Sequence, residues 1–339
     1  MVWICFLTLA VGFKNAGQIN LSQFDIYSSN LELFITGDHV IAILLDSSDK
    51  GMLLIDAKGK LIAKCGRQGQ GPREFQSPDA VWWDASGQHF SVFDSENARI
   101  SNWSREGKFK SSTPFPHKIK TPKPSSGSKL FYLKNERGLF PDAPAIMTLD
   151  LKDGKPRKLW EVSGRLVLPT VDVHGSVMVV STDWDPRLRL GLGSDFIATV
   201  FTDSNEVHIL DWEGNPRKKF PVTFKQYEVS DREIDRQIEK SFSIARPILK
   251  AKRRELYENK IWPAIRSVFV DRRDRIWVVG QKDRKPLGKF PVLIYDSAGG
   301  KLEQAELAHE PVFLAGGSVF SLVETGDAVL LDRVDVIQE

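Results

Sequence analysis

Residues 40–64, VIAILLDSSDKGMLLIDAKGKLIAK, decide the fold. An apolar run, Val40–Leu45, stops at the polar turn Asp46–Lys50 and resumes as Gly51–Ile55. It then turns through Asp56-Ala-Lys-Gly59-Lys60 and leaves again as Leu61–Lys64. Short apolar or alternating runs separated by Gly, Asp and Asn are the signature of strands joined by tight hairpins. The same grammar returns at Phe90–Gly107, Ala145–Gly154, Phe196–Gly214 and Arg275–Gly299. The turn glycines Gly59, Gly107, Gly154, Gly214 and Gly299 stand 48, 47, 60 and 85 residues apart, so the two longer gaps must hold insertions. A sixth unit, Val319–Ile337, runs out one strand short. Repeats of about 40 to 50 residues with four short strands each predict the blades of a β-propeller.

An all-β, six-bladed propeller follows, and the unassigned β-like stretch Ile19–Tyr27 (INLSQFDIY) is the natural candidate for the missing strand. Pairing it with Ala328–Ile337 would close the ring and remove the sheet edges that otherwise invite aggregation. Residues 18–339 then form one domain with a helical insertion at 230–260, ahead of blade five. Ser230-Asp-Arg-Glu233 fits a capping box, Ile234, Ile238, Phe242 and Ala245 recur at helical spacing, and Pro247 opens a second helix running to about Glu258.

Residues 1–17 read as a secretory leader: Met1–Val11 is an apolar run followed by the small residues Gly12, Ala16 and Gly17. The run is too short to span a bilayer. A periplasmic or secreted protein is therefore expected. With 47 basic and 44 acidic residues the formal net charge is +3, too small for a general nucleic-acid footprint. Of the two cysteines only Cys65 lies beyond the leader, which leaves no intramolecular disulfide and no cysteine zinc cluster.

The junction Gly66-Arg-Gln-Gly69-Gln-Gly71-Pro72-Arg-Glu-Phe75, with Ser77-Pro78-Asp79 and Asp94-x-x-Asn97-x-Arg99-Ile100, resembles the blade-to-blade crossing of the six-bladed bacterial propellers related to NHL repeats. Arg73 stands where that family carries a second glycine. The resemblance implies the propeller fold and, because propellers host unrelated functions, little about activity. Some relatives are calcium- or zinc-dependent lactonases and lyases with Glu, Asn, Asp or His at the channel mouth. In this chain that alternative, a metal-dependent hydrolase or lyase, falls on Asp46, Asp94, Asp203 and Asp283 near the turns between second and third strands, with calcium as its cofactor. Such aspartates more commonly cap their own turns.

No other motif carries chemistry. The glycine loop at 66–71 lacks the Gly-Lys-Ser/Thr ending of a phosphate loop and leads into a strand. His39, His89, His117, His174, His208 and His309 have no metal-ligand spacing. Gly191-Leu-Gly-Ser194 lacks the glycine that follows the serine of a nucleophile elbow. The favoured reading is a binding or scaffold module, without cofactor, that takes a protein or carbohydrate partner on the channel face and acts as a monomer. Long ordered loops carry function more often than not. The insertions at 183–194 and 230–260 are accordingly expected to flank the channel mouth, with Trp184 for ligand stacking. Arg187 and Arg189, the cluster Lys252, Arg253 and Arg254, and Arg67 and Arg73 from the glycine-rich junction would make that mouth basic and favour an acidic ligand.

Overall fold

The computed structural model describes residues 11–26, 32–35, 40–45, 51–83, 89–115, 119, 123–124, 129–134, 143–151, 154–162, 170–173, 176–180, 182, 184–241, 243–257, 260–285, 288–315, 317–326 and 328–338. Six antiparallel four-stranded sheets form the blades of a closed ring. Blade one comprises Glu32–Ile35, Ile41–Leu45, Gly51–Ile55 and Leu61–Cys65 from inside to outside. Blade two runs from Pro78–Trp83 to Phe109–Pro114, blade three from Lys123–Pro124 to Pro156–Glu161, and blade four from Leu188–Leu192 to Pro216–Pro221. Blade five runs from Ile265–Val270 to Lys301–Leu307.

Blade six joins the two ends of the chain. Its inner strands are Pro311–Ala315, Ser318–Thr325 and Ala328–Gln338, and its outer strand is Val11–Asn20. Closure by an N-terminal strand is as the repeat count implies, but the segment differs. Of Ile19–Tyr27 only Ile19 and Asn20 pair, opposite Leu331 and Leu330; the strand extends backwards to Val11, opposite Gln338. Asn20 ends it, because its side-chain oxygen accepts the Ser22 N–H at 2.9 Å and starts the 3-10 turn Leu21–Phe24. Tyr27 lies outside the described residues. The leader boundary expected at residue 17 falls inside this strand.

A cluster of Ile19, Leu21 and Ile26 with Ile41, Ile43 and Ile55 of blade one and Phe320, Val329 and Leu331 of blade six welds the seam. Ser22 Oγ accepts the Val329 N–H at 3.1 Å across it.

The period of the turn glycines has a physical cause. Gly107 and Gly214 close the turns between third and fourth strands at φ of 77° and 89°, where a Cβ is strained. Each also abuts the outer strand of the preceding blade, at Ala63 and at Leu159, where a methyl group has no room. One residue thus sets both the hairpin and the spacing between blades.

The capping box forms, with the Glu233 carboxylate accepting the Ser230 N–H at 2.7 Å at the head of helix α1, Asp231–Lys240. The second expected helix is two short ones, α2 (Arg246–Ala251) and α3 (Arg253–Tyr257). Phe242 lies outside the described residues. An additional hairpin, Thr170–Val173 with Ser176–Val179, precedes blade four. Its Val171 joins Val180, Trp184, Ile234, Ile238, Leu249 and Tyr257 in a satellite core, so both insertions pack as one unit.

Candidate functional site

In a four-stranded antiparallel blade, the turn between second and third strands lies at the same end as the crossing into the next blade. The glycine-rich loop, the hairpin and the three helices are all such crossings, so they share one face of the ring. Under the helices lies a cavity of about 370 Å³, walled by α1, by the Gln281–Arg284 turn of blade five, and by Trp184, Trp262 and Phe290. A smaller one of about 130 Å³ reaches inward along the inner strands of blades four and five to Arg187 and Arg189. The two share Trp262, Arg266, Gln281 and Glu310 and form a stepped cleft.

Seven cationic side chains line this cleft: Arg187, Arg189, Arg236, Lys240, Arg266, Lys282 and Arg284. Against them stand four carboxylates, each already engaged. Glu233 accepts from Arg284 at 2.9 Å and from Ser230, and Glu310 accepts from Arg266 at 2.9 Å. Asp283 accepts the Tyr227 hydroxyl at 3.3 Å and faces Lys285, and Asp185 accepts the Thr182 hydroxyl at 2.8 Å. Burial works to raise Glu233, but the Ser230 hydrogen bonds and the Arg284 charge outweigh it and hold its carboxyl below the usual range. Asp283 is likewise held low, burial being outweighed by Lys285, backbone N–H groups and Tyr227.

The aromatic wall is built by the satellite core. The rings of Trp184 and Trp262 meet edge to face at 5.9 Å, and Trp184 meets Tyr257 at 6.0 Å. The buried indole N–H groups of Trp184 and Trp262 find no acceptor within the described protein. Trp184, expected as an exposed stacking residue, is only 4% exposed and belongs to the foundation of the wall. The partly exposed ring is that of Trp262.

The structure brings Trp184, Arg187, Arg189 and Asp283 to one cleft and places the remaining expected residues elsewhere. Lys252, Arg253 and Arg254 sit between α2 and the end of α3 and do not line it. Arg253 instead bridges Asp231 at 2.7 Å and Asp235 at 3.2 Å, and Lys252 faces Glu255 at 3.9 Å. Arg67 pairs with Glu74 at 2.8 Å inside its own loop, and Arg73 lies over the Phe109 ring at 5.9 Å. Asp94 is fully buried and accepts the N–H groups of Gln76 and Ser77 at 2.8 and 2.9 Å, so it is a clamp on the glycine-rich loop. Asp203 is exposed in its turn, and Asp46 lies outside the described residues. Among the described residues no three His, Cys, Asp or Glu side chains converge as a metal would need. The three described aspartates, Asp94, Asp203 and Asp283, therefore do not form a ligand set with one another.

Arg266 and Trp262 escape sequence reasoning, although a signal exists for the arginine. Arg189 in Leu188–Leu192 and Arg266 in Ile265–Val270 are each the second residue of an inner strand, in adjacent blades. Superposing the repeats strand by strand would have paired them.

Residues 34–139 match a family model described as a 6-bladed beta-propeller. No curated protein sequence matches the chain. A member of the DUF4221 family from Bacteroides vulgatus superposes with a TM-score of 0.56 at 9% identity, covering 98% of this chain and 100% of that one. A putative exported protein from Bacteroides fragilis gives 0.53 at 10% identity, over 98% and 96%. At such identity the likeness concerns the fold. No helix among the described residues is long and apolar enough to cross a membrane. The chain is a six-bladed β-propeller.

Proposed function

We propose that this protein is a binding propeller of the cell envelope or exterior that captures an anionic partner in the cleft between its helical insertion and blades four and five. One observation carries the reading. Seven cationic and four acidic side chains line the cleft, so the positive excess of a nearly neutral chain is gathered on its walls. Charge gathered on the walls of a concave, partly dry site focuses the field on a ligand of opposite sign. The apolar residues that precede the closing strand at Val11 support an exported destination.

The test is binding of a charge panel, comprising poly-glutamate, oligogalacturonate, dextran sulfate and neutral dextran, at two ionic strengths. It compares the wild type with Arg266→Glu and with the exterior reversal Lys252→Glu/Arg253→Glu/Arg254→Glu. Anionic members bind, salt weakens them, and Arg266→Glu loses them while the exterior variant keeps them. Equal binding by wild type and Arg266→Glu ends the proposal.

A further inference from the structure

Independently of that cleft, we infer that a notch between blades five and six, on the opposite face of the ring, binds a small organic carboxylate with an apolar tail. The oxyanion sits on Arg272 and Arg275, and the tail on Leu314 and Val336. In a four-stranded antiparallel blade the turn between first and second strands lies at the end opposite the crossing. In blade five that turn joins Ile265–Val270 to Ile276–Gly280, and in blade six it joins Pro311–Ala315 to Ser318–Thr325. Between the two turns lies a cavity of about 590 Å³, with Asp271, Arg272 and Arg275 on one wall and Leu314, Ala315 and Val336 on the other. Its volume is that of a small-ligand site.

The polar wall is built in advance. The Asp271 carboxylate is saturated: Oδ1 accepts the backbone N–H groups of Arg273 and Arg275 at 2.9 and 3.0 Å, and Oδ2 accepts Arg275 Nε at 2.7 Å and the Trp277 indole N–H at 3.0 Å. Only Nε of Arg275 is spent in this way. Its two terminal nitrogens have no partner among the described residues and are not sealed from solvent. Held side-on by Asp271 and laid over the Trp277 ring at 5.6 Å, the guanidinium keeps its end-on pair of N–H groups for an oxyanion. Asp271 and Arg275 neutralise each other, so the charge that attracts an anion comes from their neighbour Arg272, which is exposed and also without a partner among the described residues. Arg273 has a partner of its own, and the Ser318 hydroxyl donates to Asp335 at 2.6 Å, so neither is called upon. Glu303, the other carboxylate near Arg275, does not line the cavity, and burial pushes its carboxyl up, which lessens its opposition to an anion. The turn itself is fastened to blade four, where Asp274 accepts the Ser194 N–H at 2.8 Å, so the arginines are presented at little entropic cost.

The facing wall is apolar. Leu314 and Val336 are partly buried against the core cluster of Trp277, Val279 and Val319, with Ala315 beside them. A bare inorganic anion would leave these carbons in water, and a neutral apolar molecule would leave the Arg275 fork unmet. An amphipathic carboxylate meets both walls at once.

The experiment is calorimetric titration of the full chain with octanoate, with its neutral isostere octanamide and with acetate. Variants are Arg272→Glu, Arg275→Lys and Leu314→Gln, with cooperative thermal unfolding confirming the fold of each. Octanoate is expected to bind at least roughly tenfold more tightly than octanamide, which lacks the charge. It should exceed acetate by a similar factor or more, since each methylene buried is worth roughly fourfold. Arg275→Lys keeps the charge and discards the fork, and should weaken octanoate roughly tenfold. Arg272→Glu should cost at least as much, and because Arg272 is exposed and unpartnered this variant decides even where Arg275→Lys fails to fold. Leu314→Gln weakens octanoate and leaves acetate unchanged. Octanoate binding that survives Arg272→Glu, octanamide or acetate binding as tightly as octanoate, or no binding at all overturns the assignment. The cleft on the other face is tested separately by the charge panel and stands or falls without this site.

Discussion

Two sides of the ring solve the same topological problem differently. Where blade one passes to blade two, the crossing Gly66–Ser77 is short and its polar groups are satisfied from within. Asp94 accepts from Gln76, Ser77 and Asn97, Asn97 donates to the Gly69 carbonyl at 3.0 Å, and Arg99 donates to the Gln70 carbonyl at 3.0 Å. Phe75, 1% exposed, plugs the space between the blades against Trp103. Where blade four passes to blade five, Val222–Ala264 instead carries three helices, its own satellite core, and a cleft lined with cations. The position of Asp94, the end of the second strand of the blade entered, is held at that crossing by Gly280 of blade five, which has no side chain to accept an N–H. A junction that satisfies itself is scaffold, and a junction that leaves charge and aromatic surface facing a cavity is where binding is available.

The largest effects belong to the self-satisfied side. A chain beginning at Val11 is expected to unfold cooperatively as a monomer, whereas one beginning at Leu21 loses the outer strand of blade six and exposes an edge. Aggregation or a non-cooperative thermal transition for the shorter chain checks this. A stable monomer lacking Val11–Asn20 would show that the seam does not hold the ring. The same pair locates the mature terminus, since cleavage after residue 17 would leave only Gln18, Ile19 and Asn20 of the strand. Next in size is Asp94→Ala, which takes the buried acceptor from the N–H groups of Gln76, Ser77 and Asn97 in a part-buried loop. A loss of about 3 kcal/mol in denaturant unfolding is expected, with binding of the anionic members of the charge panel unchanged because the loop does not line the cleft. Reduced affinity with intact stability would break the division between the two sides.

That division also governed what the sequence made legible. Gly59, Gly107, Gly154, Gly214 and Gly299 announce the blades because each needs a positive φ, and at Gly59, Gly107, Gly214 and Gly299 a close neighbour also leaves no room for a Cβ; Asp94 and Asn97 announce the locked junction because turn chemistry is local. The closing strand is legible only at its end, because Ile19–Tyr27 looks β-like while most of the residues that pair, Val11–Gln18, resemble the end of a leader. The cleft was only half visible. Arg187 and Arg189 are legible through the insertion beside them, but Trp184, which reads as a loop residue suited to stacking on a ligand, is buried in the satellite core. Lys252–Arg254 stood out as a run of charge whose partners, Asp231 and Asp235, are a helix away in sequence. Pairing across an insertion has no periodicity to betray it.

Effects confined to part of the molecule test the insertion side. Trp184 fills the satellite core, so Trp184→Ala is expected to cost about 3 to 5 kcal/mol locally, by the usual scale for large aromatic truncation. Trp184→Phe keeps most of the volume and removes an indole N–H that finds no acceptor. It should cost less than about 1 kcal/mol. Hydrogen exchange resolves the comparison: the alanine variant opens the helices and leaves the amides of blades one and two protected. Uniform loss of protection would mean that the insertion is part of the ring's cooperative unit.

The smallest expected effect concerns pH. Glu233 ties the N-terminus of α1 to blade five by accepting from Ser230 at 2.7 Å and from Arg284 at 2.9 Å. Its folded pKa lies below the ordinary 4.5 of a glutamate, so the charged form is bound more tightly in the native state than in the unfolded one. The sign follows from linkage: the contribution is fully present above 4.5 and is lost as the pH falls through the lower folded value, when the carboxylate takes up its proton. A capping box of this kind is worth about 1 kcal/mol, and the Glu233→Gln variant, which keeps the shape and discards the charge, should be weaker by roughly that amount at neutral pH. At acid pH the two proteins should converge in α1 protection, while the glycine-rich junction, whose Asp94 clamp is common to both, responds alike in each. Parallel curves for wild type and Glu233→Gln down to pH 3 would show that the helix is seated by Ile234 and Ile238 alone. The electrostatic tie between α1 and blade five would then contribute nothing to holding the cleft in shape.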